Sequence, residues 1–320
     1  LDRHTCYIYN KGINQMQITS EIVTTPIEVT KYVTPDLFNE RNIHFADPKL
    51  TDKVMYSSTR YGSVNFYKGD NVIGISLHYY GEYTQYEINL LNNFIHKDTV
   101  VYDIGANIGF HSLGLAEHAK HLYAFEPNNK NYKLLRMNTG HVKNISTYNV
   151  GCSDKNGTAY IQDFEPGTNN NNGELMLAET GQPCDIVKLD DYVKVHHIPD
   201  PQVVKIDVEG HEYEVLMGMD QMIRNNLPVI FYEHQTGKLP EIYDYLDSLG
   251  YTIYWFASPN FNPNNYKNNQ TQIFMPGSGV VNALAIPFHI DLKTNLPKKL
   301  SRDETYNDMV ERYMKEHAKN

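Results

Sequence analysis

The 320-residue sequence has three cysteines, Cys6, Cys152 and Cys184, and no two of them share a metal-type spacing. An odd, widely scattered set argues against a disulfide framework and against a zinc site, and it predicts a reducing, cytoplasmic setting. Long apolar runs are also missing. No stretch approaches the roughly 20 residues needed to span a bilayer, and the opening residues LDRHTCYIYNKG lack the apolar core of a signal peptide. Positive charge is scarce, with 28 Lys and Arg against 38 Asp and Glu and a formal net charge of −10. Such a chain repels phosphate backbones and anionic lipids unless a basic patch offsets the repulsion, and the sequence offers none. Nucleic acid and membrane are therefore not expected as partners, and a neutral or small molecule is. No repeat of solenoid length occurs.

What is present is ordinary globular material, 41% hydrophobic and 21% charged. Residues 1–55 mix β-branched residues and prolines without a sustained period and read as an N-terminal extension. Residues 56–98 read as a β-hairpin and a helix. The hairpin is GSVNFY (62–67) and NVIGISL (71–77), joined across Lys68, Gly69 and Asp70; the helix runs from Glu82 to His96, with Tyr83, Tyr86, Leu90, Leu91, Phe94 and Ile95 at helical spacing. From 99 to 290 strand and helix periods alternate. Strands are expected at TVVYDI (99–104), HLYAFE (121–126), ISTYNV (145–150), QVVKID (202–207), PVIFYE (228–233), YTIYWF (251–256) and NALAIP (282–287). That alternation predicts an α/β fold, a Rossmann-like, doubly wound, mostly parallel seven-stranded sheet with helices on both faces. Residues 291–320 read as a C-terminal helix that starts at a capping box, Ser301-x-x-Glu304, and packs on its own domain, with homodimer contact as the lesser alternative. Two asparagine-rich stretches, TNNNNG at 168–173 and NFNPNNYKNNQTQ at 260–272, read as surface loops, with a lid over a substrate pocket as the weaker reading.

The most informative stretch is VVYDIGANIGFHSL, where a strand gives way to a helix within a few residues. Gly105 and Gly109 permit positive φ and close backbone approach at the carboxyl edge of the sheet. Free N–H groups at the helix start could then meet a polar or anionic ligand group. A dinucleotide fingerprint would need glycine where Asn107 and Phe110 stand, so NAD and FAD are disfavoured. Glu126 closes the second strand 21 residues after Gly105, where a carboxylate can accept from both ribose hydroxyls of an adenosine cofactor.

The strings VYDIGANIGF, YAFEPNN, SDKNG, KLDDY and VVKIDVEGHEYEVLMG, with GEYTQYEINLL upstream, resemble the FkbM family of methyltransferases over about residues 60 to 290. The resemblance implies a class I methyltransferase fold, S-adenosyl-L-methionine as cofactor, and methyl transfer to an oxygen of a sugar, glycan or natural product. It would place Asp103, Gly105, Ala106, Asn107 and Gly109 at the methionine end, Glu126 with Pro127 at the ribose, and Asp154 near the adenine. Glu82 and Tyr83 would close the cofactor from the other side. His211 stands where the family more often has a small residue.

Chemistry is expected beyond the carboxyl ends of the fourth and fifth strands, KIDVEGHE and FYEHQ. If the chain stays extended past Asp207, that residue and Glu209 share one face. A hydroxyl acceptor gains from losing its proton, and histidine suits that task near neutral pH; His234 is the first candidate base and His211 the second, with Asp207 and Glu209 as orienting groups. A divalent metal on Asp207, Glu209 or Glu233 ranks below a metal-free site, and Lys205 reads as a structural partner of a carboxylate. Two alternatives stand beside the sugar O-methyltransferase. An RNA ribose methyltransferase would typically carry a lysine on the helix after the fourth strand, and Gly210 to Asn226 has none. An inactive glycan- or partner-binding module would keep the same fold without activity.

Overall fold

The computed structural model describes residues 4–10, 13–20, 53–167, 171, 176–234 and 237–317. Its centre is a seven-stranded sheet of β1 (Val100–Ile104), β2 (His121–Phe125), β3 (Ile145–Tyr148), β4 (Val203–Ile206), β5 (Val229–Glu233), β6 (Tyr251–Pro259) and β7 (Gly279–Pro287). The strands lie in the order β6-β7-β5-β4-β1-β2-β3. All neighbouring pairs from β5 to β3 are parallel, and β7 runs antiparallel between β5 and β6. Seven mostly parallel strands are what the alternating periods predict. The direction of travel reverses between β1 and β4, which creates the switch point where such sheets leave a crevice.

Alternation along each buried strand supplies two apolar faces. Val101, Leu122, Val203, Val229 and Phe231 pack with residues of α1 (Ile73–Tyr80), α2 (Gln85–Leu91), α3 (Phe110–Ala116) and α4 (Asn129–Thr139). Val100, Tyr102, Ile104, Val204 and Ile230 face α5 (Leu189–His196), α6 (Glu212–Gly218), α7 (Asp220–Asn226) and α8 (Leu239–Ser248). Each fully buried aliphatic side chain contributes roughly 1.5–3 kcal/mol, so both helical layers are held by the sheet. Asp190, in the KLDDY string, is a joint within the second layer: its carboxylate accepts the Gln221 and Met222 N–H groups at 2.9 and 3.0 Å and starts α7.

Four expectations need correction. The hairpin before the sheet is Val54–Thr59 with Gly62–Tyr67, and residues 73–80 are the helix α1. The Asp70 carboxylate accepts the Val72 N–H at 3.0 Å and its carbonyl accepts the Ile75 N–H at 3.1 Å, turning the chain into a helix. Gly74 then lets that helix press on Phe66, 2.8 Å from where a Cβ would sit. Burial on both sides outweighs the strand propensity of Val72, Ile73 and Ile75. The helix expected over 82–96 is shorter, Gln85–Leu91, and the single helix that strand–helix alternation implies behind β4 is two, α6 and α7, which meet at Met219. The last helix, α9 (Tyr306–His317), begins after Thr305, not at Ser301. The Thr305 N–H donates to Asp308 at 2.9 Å, while Glu304 accepts from Trp255 Nε1 at 3.1 Å. Met309, Tyr306, Val310 and Tyr313 pack on Trp255 and Val281, so this helix does cover its own domain.

The sequence reading also missed a four-stranded sheet of Leu177–Ala178, Gly157–Ile161, Gln182–Lys188 and Gly151–Ser153, which flanks the β3 end of the core. Within the N-terminal extension, His4–Asn10 and Ile13–Ser20 form an antiparallel pair joined by Asp291–Lys293. The asparagine stretch at 168–173 lies outside the described residues except Asn171. The stretch at 260–272 is tied to the body of the protein, as described below.

Candidate active site

A cavity of about 510 Å³ opens at the carboxyl ends of β1, β2, β4 and β5, beside the switch point. This volume is in the range that holds a small-molecule ligand. One wall is the turn after β1. Gly105 has φ +78 and sits so close to β4 that a Cβ would lie 1.8 Å from the Asp207 carbonyl oxygen, so only glycine fits without moving a strand end. The N–H groups of this turn are less free than expected. Gly105 and Ala106 both donate to the Phe125 carbonyl at 3.0 Å, Gly109 donates to Ala106 at 2.9 Å, and Asn107 donates to Glu126 Oε2 at 2.9 Å.

Glu126 is the buried end of β2, and its second oxygen accepts the Asn128 N–H at 2.8 Å. The turn after β1 and the turn after β2 are thus clamped by one carboxylate. Burial raises its pKa to about 7 against the pull of those two N–H groups. Pro127, Gly151, Cys152, Ile161 and Ile186 continue this wall as an apolar slot.

The opposite wall is acidic. The ligand oxygens of Asp207, Glu209 and Glu233 come within 4.8 Å of one another, and among the described residues they are the one group of three able to hold a metal ion. Their convergence does not come from an extended chain. β4 stops at Ile206, and Glu209 adopts φ +56 ahead of Gly210 at +92, a turn held by Glu212, whose Oε1 accepts the Val208 and Gly210 N–H groups at 3.2 Å. Burial, reinforced by Asp207, Glu209, Glu212 and Glu87, pushes Glu233 well above the usual carboxylate range. Lys205, 2% exposed, lies 3.1 Å from Asp207 and 3.4 Å from Asp103. Burial alone would lower its ammonium, but Asp207 and Asp103 outweigh it and keep it charged.

Three of the six described non-glycine residues with left-handed backbone, Thr84, Asn107 and Glu209, line this one cavity. Each such conformation costs on the order of 1–3 kcal/mol, and strain of this kind gathers at functional sites.

The structure brings Tyr83, Gly105, Ala106, Asn107, Glu126, Pro127, Asp207, Glu209 and His211 to the cavity wall. It does not bring the remaining candidates there. Asp103, fully buried, accepts the Ser112 hydroxyl at 2.5 Å beneath the turn, and Gly109 packs on Leu135. Asp154 is exposed and accepts from Ser153 Oγ at 3.2 Å. Glu82 is buried elsewhere. It accepts from Arg60 Nη2 and Asn262 Nδ2 at 2.6 Å and from the Tyr266 N–H at 2.9 Å, which anchors the second asparagine-rich stretch.

His234 follows Glu233 directly, and period-two alternation sends the two side chains to opposite faces. Glu233 enters the cavity, while the His234 ring packs edge-on against Trp255 at 4.7 Å on the other side of the sheet. Burial and the nearby Lys299 lower its pKa to about 3, and its Nδ1 is buried without a hydrogen-bond partner. The first candidate base is therefore outside the cavity. His211 is at the wall, 2.9 Å from Ser153 Oγ, and burial lowers its pKa against the pull of Glu214 and Asp154.

Sequence reasoning missed a second cluster on the same wall. His111 Nε2 lies 2.8 Å from Thr84 Oγ1 and 3.3 Å from Glu87 Oε2, and Asn282 Nδ2 donates to Glu87 Oε1 at 3.0 Å. The signals were present: Tyr83 and Glu87 stand four residues apart across the start of α2, and His111 is the second residue after Gly109.

Residues 103–253 match the family model described as the Methyltransferase FkbM domain. The hexuronic acid methyltransferase AglP of Haloferax volcanii is 33% identical over 140 residues, which are 43% of this chain and 57% of that protein. The chain thus spans little more than half the length of this curated relative. Among solved structures, methyltransferase FkbM from Methylobacillus flagellatus KT is similar with TM-score 0.41 and 17% identity, over 59% of this chain and 44% of that one. Precorrin-6y C5,15-methyltransferase from Geobacter metallireducens GS-15 is similar with TM-score 0.37 and 15% identity, over 60% and 82%.

Proposed function

We propose, from the premise that residues 103–253 are a domain of the FkbM methyltransferase family, that this chain is an S-adenosyl-L-methionine-dependent O-methyltransferase acting on a sugar or glycan hydroxyl. The observation that carries the reading is the pairing, across one cavity, of the Glu126-clamped turn with the carboxylate cluster at the ends of β4 and β5. The wall fits an adenosyl methyl donor. Glu126 keeps lone pairs for ribose hydroxyls beyond its two backbone bonds, the slot from Pro127 to Ile186 suits a flat apolar ring, and Gly105 leaves its neighbours room to approach. When bound, the donor supplies an electrophilic methyl group on a sulfonium.

The remaining work belongs to the chain. Methyl transfer is an in-line displacement, so holding the acceptor oxygen in line can supply much of the acceleration. Asp207 and Glu209 accept hydrogen bonds from acceptor hydroxyls and fix their direction. Glu233, its carboxyl pushed well above the usual carboxylate range by burial and its acidic neighbours, can donate one when protonated as well as accept one. The metal-free reading is favoured because the Lys205 ammonium at 3.1 Å already neutralises Asp207 and would repel a divalent cation. The RNA reading is disfavoured by the charge balance of 28 basic against 38 acidic residues.

The acceptor is narrowed by charge. Even with the raised carboxyls Glu126 and Glu233 set aside, Glu87, Asp207 and Glu209 line the cavity against one ammonium, Lys205, which favours a neutral hydroxyl over an anionic group. The experiment is incubation with methyl-labelled S-adenosylmethionine and a panel of neutral and uronic oligosaccharides, read by mass spectrometry. A gain of one methyl group on a neutral sugar supports the reading. Failure to modify any member while the cofactor binds would move the acceptor outside the sugar class.

A further inference from the structure

We infer that His111, braced by Glu87, is the group that takes the acceptor proton, an assignment resting on the methyl-transfer reading above. Three histidines compete near the carboxyl edge of the sheet. His234 is behind the sheet against Trp255. His211 sits beside Ser153, next to the apolar slot proposed for the adenine ring. His111 stands at the acidic end. Glu87, its partner, is held by Asn282, which pairs across the sheet with Glu233. The field of Glu87 is also felt by both Lys205 and Glu233.

The bracing sets the tautomer. Glu87 Oε2 at 3.3 Å favours a proton on Nε2, which donates to Thr84 Oγ1 at 2.8 Å. Nδ1 then carries the lone pair, the arrangement in which a carboxylate on one ring nitrogen prepares the other as a base. Asn282 fixes the other Glu87 oxygen at 3.0 Å, so the carboxylate cannot swing away. Thr84, at the N-cap of α2, holds a left-handed φ of +42 beside His111, strain of the kind that gathers at functional sites.

In the step, the acceptor O–H bond breaks and its proton passes to Nδ1. The oxygen forms a bond to the methyl carbon as the carbon–sulfur bond breaks, and that electron pair stays on sulfur. The new imidazolium faces the Glu87 carboxylate, with Tyr83 beside it and Lys205, Asp207, Glu209 and Glu233 as the other titratable groups of the acidic wall.

The test uses H111Q, which keeps a side-chain donor for Thr84 but cannot take up a proton, with E87Q as a second variant. H111Q should slow labelled methyl transfer to the neutral oligosaccharide pool about 100- to 10,000-fold, leave S-adenosylhomocysteine affinity within threefold by calorimetry, and lose the acid limb of the wild-type kcat profile. Nitrogen-15 spectra of wild-type His111 should report the Nε2–H tautomer, and E87Q should weaken that preference. Turnover of H111Q within threefold of wild type, or a wild-type Nδ1–H tautomer, would overturn the assignment while leaving the methyl-transfer reading intact. Absence of S-adenosylhomocysteine binding to the wild type would overturn that reading, and this assignment with it.

Discussion

Replacing Gly105 with alanine tests whether the end of β1 has to touch the end of β4 for the site to exist. Alanine at φ +78 carries a left-handed penalty of about 1–2 kcal/mol. Its Cβ would also sit 1.8 Å from the Asp207 carbonyl oxygen, where ordinary contact begins at 3.4 Å. One strand end must then move by about 1.6 Å, and overpacking of this kind adds about 1–3 kcal/mol. The expected loss is about 2–5 kcal/mol. Gly62 supplies the control, because its φ of +97 carries a similar backbone penalty while nothing lies within 4 Å of its Cβ position. G62A should therefore lose only about 1–2 kcal/mol. Equilibrium urea unfolding gives both values, and calorimetry with S-adenosylhomocysteine should show at least tenfold weaker binding for G105A and little change for G62A. Equal stability losses in the two variants, with affinity intact in both, would refute the close approach as the feature that shapes the cavity.

Glu126 should make stability depend on pH in a direction opposite to a salt-bridged acid. Its folded pKa is raised from 4.5 to about 7, so the folded state keeps a proton that the unfolded chain gives up. Stability falls as pH rises between these values, by on the order of 3 kcal/mol, and E126Q should flatten that slope in pH-dependent urea unfolding. H234A should retain turnover within threefold while losing about 1–3 kcal/mol of stability through its contact with Trp255; a collapse of turnover would return the base to that position. Neutral oligosaccharides should be methylated at least tenfold faster than uronic ones under matched conditions, and a preference for uronates would contradict the reading of the acidic wall. Dialysis against EDTA should change the rate less than twofold, whereas a tenfold loss restored by magnesium would assign Asp207, Glu209 and Glu233 to a metal.

The sheet was legible because each strand of the core is a short apolar run bounded by turn residues, and the crevice follows from the reversal of strand order between the parallel neighbours β1 and β4. The glycine turn and Glu126 were legible for the same reason, as strand ends named by their spacing. Side-chain direction past a strand end was not. The expectation for His234 treated two neighbouring residues, Glu233 and His234, as sharing one pocket, although alternation separates them. Asp207 and Glu209 do meet, but through a left-handed turn that Glu212 holds, a tertiary effect without a local signature. His111 and Glu87 escaped notice because they are 24 residues apart in the chain and meet only when α2 packs on α3. The helix at 73–80 was read as a strand because β-branched residues are the same material in a buried helix and a buried strand.

On the proposed function, the Glu126-clamped turn after β1 receives an adenosyl methyl donor. Isothermal titration of S-adenosylmethionine into the wild type and E126A measures it directly. Saturable binding at one site per chain, weakened at least tenfold in a folded E126A, is the predicted result; no binding to the wild type, or equal binding to both proteins, would contradict the account.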